Sequence, residues 1–404
     1  MSYSGVNSVN VKMYNRSRLI KLLNDNGPAS RKDIAIGLGL TAAAVTQICT
    51  QMIAEGILAD LGELSENPRP GRKKMLVGLN YRYRHVLSIS VEASETSISV
   101  SDLDGRDLQR KTLDTDTSVA PQVFLQKIAA ESRRLLEDTG LKMSDVLGAG
   151  VSVPGAVDRE HGISLHALRI WDAEVPVKTI LQERLGIPVT VENNVKAFAE
   201  AELSYGTGRQ SKNILFVKWG PGVGSAIVIE NHVYDSHNSK TAEIGHLIVD
   251  RKGKLCRCGR RGCIETKVSQ QAVAEEVRAQ YSQESMPELA LYTAGNPERI
   301  NARNISEWAQ LKDAALQKIL QQAIDELALT VSNASTLMAP DQIVVYGRMF
   351  DIPGFLERFL DCCRNYIPDY KDDLIVKSDL STKTSYIGSL ALVFNEFINI
   401  PEAI

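Results

Sequence analysis

Apolar residues recur at helical spacing in three short runs between Asn15 and Glu55, then alternate in strand-like runs from Tyr83 onward. In the first run, about Asn15 to Asn24, Leu19, Ile20, Leu22 and Leu23 fall mostly on one face, and Gly27-Pro28 ends it. Ser30, with Asp33 three residues later, predicts the cap of a second helix over Arg31–Leu38 that stops at Gly39. Thr41 caps a third, running to about Glu55, whose buried stripe is Val45, Ile48, Met52 and Ile53. Two helices joined by a short glycine turn form a helix-turn-helix pattern. β-like segments over Ile57–Leu61 and Lys74–Leu79 flank a polar tip, which is the outline of a wing.

The remainder has an α/β pattern. Val86–Val91 and Thr96–Asp102 alternate as a hairpin around Glu92-Ala93-Ser94-Glu95-Thr96, and Asp104-Gly105 supplies the next turn. A helix over Pro121–Asp138 leads to a buried strand, Val146–Val153, and the loop Pro154-Gly155-Ala156-Val157-Asp158. A helix over Val177–Leu185 precedes a strand over Pro188–Glu192 that ends at Asn193-Asn194, and a long Ala-rich helix follows. Asn213–Lys218 then opens into Gly220-Pro221-Gly222-Val223-Gly224 and Ser225–Ile229, repeating the strand, glycine turn, strand theme expected of two related lobes. Apolar positions from Ala315 to Val331 mark one long amphipathic helix, followed by a buried strand, Gln342–Tyr346. The last helix, Ser385–Phe397, is apolar enough for a core.

A length of 404 residues predicts two or three domains. No apolar run is long enough to span a bilayer, and the polar stretch Met1–Asn10 lacks the apolar core of a signal peptide. The cysteines suit ligands and core positions rather than a disulfide framework, which predicts a reducing cytoplasm; Cys49, Cys362 and Cys363 fall in helical segments as packing residues. The net charge of −3 conceals an asymmetry: residues 1–80 carry 10 Lys+Arg against 6 Asp+Glu, leaving 36 against 43 for the rest. A basic head on an acidic body predicts a polyanion partner for the head.

That partner is expected to be operator DNA. The third helix enters the major groove with Ala42, Ala43, Thr46, Gln47 and Gln51 exposed; Ala and Thr suit thymine methyls and Gln suits adenine edges. The wing tip, Arg69-Pro70-Gly71-Arg72-Lys73-Lys74, resembles an AT-hook core and fits a narrow A·T-rich minor groove. A protein-docking module with a solvated basic loop is the alternative.

His246, Cys256, Cys258 and Cys263 stand at metal-ligand spacing inside the pattern E-x-x-H-x9-C-x-C-x4-C-x-E, from Glu243 to Glu265. One imidazole and three thiolates are a standard closed shell for structural Zn2+, and Gly259 and Gly262 permit the necessary bend. The alternative is a cluster of buried thiols.

Over essentially its full length the chain resembles the ROK family of repressors, open reading frames and sugar kinases. The winged head, Val153-Pro154-Gly155, Glu192-Asn193-Asn194, Ala242-Glu243-Ile244-Gly245-His246 and Cys256–Glu265 carry the resemblance. It implies a winged head over 1–80 and an actin-like, ribonuclease-H-like pair of lobes, 81–198 (completed by the final helix, 385–404) and 199–384. It also implies zinc at the cluster, and sugar hydroxyls on Asn193, Glu243, His246 and Glu265. Local Asx bonding at Asn193-Asn194, and cap or metal-shell roles for Glu243 and His246, remain open. His166 and Trp171 fall near the implied cleft, but Ala167 stands where the family has Asn.

Three departures bear on activity. The kinases have Asp-x-Gly-Gly-Thr where this chain has Glu92-Ala93-Ser94-Glu95-Thr96, and Gly-Thr-Gly where it has Gly220-Pro221-Gly222. Asn194 replaces the aspartate that serves the kinases as general base, and an amide cannot take that proton. The expectation is therefore a cytoplasmic, sugar-responsive repressor without enzymatic activity, a homodimer or dimer of dimers on a palindromic operator. An ATP-dependent sugar kinase with a DNA-binding appendage, or a regulator controlled by a protein partner, are the rivals.

Overall fold

The computed structural model describes residues 8–63, 75–167, 170–235 and 241–399. They fall into two compact units, 1–205 with 383–404, and 206–382. The break after Tyr205 spares the helix Asn194–Tyr205, through which the sequence-based boundary at 198 would have cut.

The head opens the first unit. Its helices are Ser8–Asn26, Arg31–Leu38 and Ala42–Ala54. The first begins seven residues before the periodicity does, because Val9, Val11 and Met13 alternate with polar residues and give no helical stripe to read. Ser30 Oγ accepts from Asp33 N–H, and Thr41 Oγ1 accepts from Ala44 N–H, both at 3.2 Å, so each helix start is fixed by the predicted cap. Gly39 closes the second helix at φ +66°, in the left-handed region. A three-stranded sheet completes the winged fold. Met75–Leu79 lies between Ala29–Ser30 and Leu58–Glu63, antiparallel to both.

Each unit carries one five-stranded sheet, and the two sheets share a strand order. In the first unit Val189–Asn193, Val146–Val153, His85–Val91, Glu95–Asp102 and Asp107–Asp114 lie side by side; the first two pairings are parallel and the others antiparallel. In the second the order is Ile375–Lys377, Gln342–Tyr346, Ile214–Trp219, Val223–Ile229 and His232–Val233, with the same parallel and antiparallel sense. This is the repeat that the glycine-turn pattern anticipated.

The C-terminal helix, Ile387–Asn399, returns to the first unit. Ser389 Oγ donates to Ile89 O at 2.9 Å, and Gly150 makes the approach possible, since a Cβ there would stand 1.8 Å from Ser389 O. The other side of this helix joins the head: Leu390, Val393, Phe394 and Phe397 share one buried cluster with Leu19, Ile20, Leu23, Val45 and Met52. The head is thus packed onto the lobe through a common core. Among the described residues no single helix is long and apolar enough to cross a membrane.

Candidate functional site

On the third helix of the head Ala42, Ala43, Thr46 and Gln47 are exposed, and so is Thr50, which the sequence pattern did not single out. Thr46 Oγ1 donates to Ala42 O at 2.7 Å, so its methyl is the group offered outward. Gln51 is half-buried and donates from Nε2 to Glu55 Oε1 at 3.0 Å. Glu55 also receives both terminal nitrogens of Arg16, a buried guanidinium, which holds its carboxyl below the usual range. This paired contact fixes the end of the third helix against the first. Arg69, Gly71, Arg72 and Lys73 lie outside the described residues.

At the end of the strand Val189–Asn193 the backbone enters the helix Asn194–Tyr205 without a break. Asn193 Oδ1 caps that helix, accepting from Val195 N–H at 2.8 Å and Lys196 N–H at 3.2 Å. Its Nδ2 donates to Gly155 O at 2.7 Å. Gly155 has φ +92°, and a Cβ would lie 2.3 Å from His166 O, so only glycine brings the loop this close. The local Asx role of Asn193 is therefore occupied. Asn194 Nδ2 donates to Glu92 Oε1 at 2.7 Å, joining two of the positions at which the chain departs from the kinase pattern. Glu192 is buried and pairs with the half-buried Arg159, a pairing that the motif Glu192-Asn193-Asn194 did not disclose. Trp171 is a core residue, its indole donating to Ser164 Oγ at 3.0 Å, and His166 lies on the short strand Ile163–His166.

In the second unit Glu243, His246 and Glu265 border the cysteine loop. Ala242 has φ +61°, an uncommon conformation for alanine, and is held there as Ser225 Oγ donates to its carbonyl and accepts from Ile244 N–H. This turns the exposed Glu243 into the start of a single tight helical turn, Ile244–His246. Gly245 fits because a Cβ would meet Val223 O at 2.0 Å. Glu265 Oε2 accepts from Val223 N–H at 3.0 Å, tying the cysteine segment to the second glycine loop.

His246, Cys256, Cys258 and Cys263 come together, with their donor atoms all within 4.8 Å of one another. Cys256 Sγ lies 3.6 Å from His246 Nδ1, and Cys258 Sγ lies 3.6 Å from Cys263 Sγ. Ligands about 2.3 Å from a tetrahedral ion stand about 3.8 Å apart, so the spacing fits a metal. Gly262 makes the fold-back possible at φ +73°, where a Cβ would fall 1.5 Å from Asp250 O. Burial pushes the Cys263 thiol up to about 12, with its neighbouring thiols adding to the shift. Burial raises Cys258 too, but Arg260 outweighs it and the thiol settles at about 7. One thiol is thus ready to ionise and the cluster favours a cation that ionises the rest. Arg260 had no signal beyond its place in Cys258-Gly259-Arg260. His246 uses Nδ1 here, leaving Nε2 outside the cluster.

The ROK family model matches residues 86–396. The chain belongs to the ROK family. The xylose repressor of Caldicellulosiruptor bescii is 22% identical over 97% of this chain and 98% of that protein. A ROK family transcriptional regulator, described as a homologue of the E. coli MLC protein, superposes with a TM-score of 0.78 at 24% identity, covering 96% of this chain and 97% of its own. The ROK family glucokinase of Streptomyces griseus, solved with glucose and AMPPNP, matches at a TM-score of 0.65 and 24% identity, covering 76% of this chain and 98% of its own. The ROK fold is therefore common to regulators and kinases.

Proposed function

We propose that this ROK protein is a sugar-responsive transcription repressor whose kinase-type body binds sugar but does not phosphorylate it. The observation that carries the reading is Asn194: it stands at the position of the kinases' base, is an amide, and is held by Glu92. The winged head supplies a DNA-binding surface in the helix Ala42–Ala54, and Arg69, Gly71, Arg72 and Lys73 are assigned from their sequence to contacts with an A·T-rich minor groove. A homodimer, or a dimer of dimers, presents two heads to a palindromic operator.

Sugar hydroxyls are assigned to Asn193, Asn194, Glu243, His246 and Glu265. Neutral diols need planar acceptors and amides at short range, and these side chains supply them. Glu243 is well suited because its carboxylate accepts no hydrogen bond from the described residues. The cation at His246, Cys256, Cys258 and Cys263 is assigned as structural Zn2+, which would hold the Glu243–Glu265 segment rigid. The relative named as a xylose repressor supports the regulator over the kinase.

The test is a thermal-shift panel with D-xylose, D-glucose and N-acetyl-D-glucosamine, run beside a coupled assay for ATP consumption. Stabilisation by a sugar without turnover supports the reading. Sugar-dependent ATP consumption would replace it with the kinase, and stabilisation by none of the sugars would favour a protein partner.

A further inference from the structure

A continuous chain of hydrogen bonds runs from the Asn193 end of the helix Asn194–Tyr205 to the DNA-binding head, entirely within the first unit. Asn193 N–H donates to Glu192 Oε1 at 2.6 Å. Arg159 Nη1 bridges Glu192 Oε2, at 3.5 Å, and Glu200 Oε1. Glu200 Oε2 accepts from Asn395 Nδ2 at 2.9 Å, and Asn395 Oδ1 accepts from Ser204 Oγ at 2.9 Å. The carbonyl of the same Ser204 accepts from Asn24 Nδ2 at 3.0 Å. Asn24 belongs to the first helix of the head. A second route meets it there: Tyr205 OH donates to Leu103 O at 3.1 Å, Leu103 N–H donates to Tyr81 O at 2.9 Å, and Tyr81 OH donates to Asn24 Oδ1 at 3.5 Å.

We propose that this helix and the polar chain along it form the coupling device by which a sugar at Asn193 changes the DNA affinity of the head. The inference rests on the reading of Asn193 as a sugar contact and adds how occupancy there is transmitted. Two physical features favour transmission over static bracing. Glu192, Glu200, Ser204 and Asn24 are each 6% exposed or less, with Arg159 and Asn395 half-buried between them, so at the four buried groups water cannot replace a partner that moves away and those links must move together. The helix spans 12 residues, about 18 Å, and is buried on nearly every side, so it moves as one rod. Asn193 Oδ1 caps one end of the rod and Ser204 grips the head near the other. A sugar hydroxyl that competes for the Asn193 amide therefore acts on the cap. Asn395, on the C-terminal helix that shares the head's core, ties the rod to that core midway.

The test uses the full chain, wild type and the variants Asn395→Ala and Asn24→Leu. The DNA is a duplex selected from a random pool by the wild-type protein, and the probes are D-xylose, D-glucose and N-acetyl-D-glucosamine. Both variants should bind the stabilising sugar within about twofold of wild type, while the sugar-induced change in DNA affinity falls from roughly 5–150-fold to under about threefold. Variants that bind the sugar and keep the full wild-type response overturn the coupling device alone. A wild type that binds none of the sugars removes the underlying reading and this inference with it. Should a variant fail to fold, amide hydrogen exchange on wild type decides: sugar should alter exchange across 194–205 and 8–26, and no change in either segment overturns the proposal.

Discussion

Asn194 and Glu92 are joined side chain to side chain, Nδ2 to Oε1 at 2.7 Å, although 102 positions separate them. The amide donates where a carboxylate could only repel, so the two departures from the kinase pattern are chemically one. Asn194→Asp alone should therefore leave the protein without sugar-dependent ATP turnover in a coupled assay. It should also destabilise the fold by about 1–3 kcal/mol, because it sets two carboxyls together and removes a donor. Turnover restored by this single change would contradict the account.

The metal cluster makes a second prediction. Cys258→Ser removes the thiol that Arg260 has already brought to about 7, and purified protein should fall from one bound zinc per chain to none by elemental analysis. The thermal midpoint should drop by several degrees, at roughly 2–4 °C for each kcal/mol lost in a unit of this size. Retained stoichiometric zinc would contradict the ligand set.

Recognition by the head should divide into two kinds of effect. Gln47→Ala should cost roughly 1–3 kcal/mol on the selected duplex, relax preference at one base pair, and leave the salt dependence unchanged. Arg69→Ala with Arg72→Ala should lower the slope of log affinity against log salt by about two and weaken A·T preference. Fluorescence anisotropy across a salt series reads both.

Glu192 predicts a pH effect on stability. Burial pushes its carboxyl up from 4.5 to about 7, against the opposing pull of Arg159, so the folded chain holds this proton more tightly than the unfolded chain. Stability from this group is highest below about pH 4.5, declines as pH rises toward 7, and the cost is complete above 7. Glu192→Gln removes the titration. Relative to wild type, the variant should gain on the order of 3 kcal/mol between pH 4.5 and 8, measured by chemical denaturation at each pH. A constant difference across the range would contradict the assignment.

Local chemistry was legible in the sequence wherever one residue decides the backbone. Ser30, Thr41 and Gly39 placed two helix starts and one stop, because caps and left-handed turns are set by the residue itself. The gathering of His246, Cys256, Cys258 and Cys263 into one cluster was legible for the same reason: their spacing is short and the intervening glycines permit the bend. Long-range pairing was not. Nothing in the sequence around Glu92 announces Asn194, and Arg159 gives no sign of Glu192 and Glu200, since these partners meet only after the sheet has formed. The short strand Ile375–Lys377 was missed because three residues are too few to show alternation.

The central claim is that a sugar held in a body unable to phosphorylate it governs the head's grip on DNA. The most direct measurement is the affinity of the full chain for its selected duplex by fluorescence anisotropy, with and without the stabilising sugar and with ATP present throughout. The account predicts an affinity that shifts by roughly 5–150-fold on adding sugar, with both sugar and ATP recovered unchanged. An affinity that the sugar does not move, or sugar recovered as its phosphate, would contradict it.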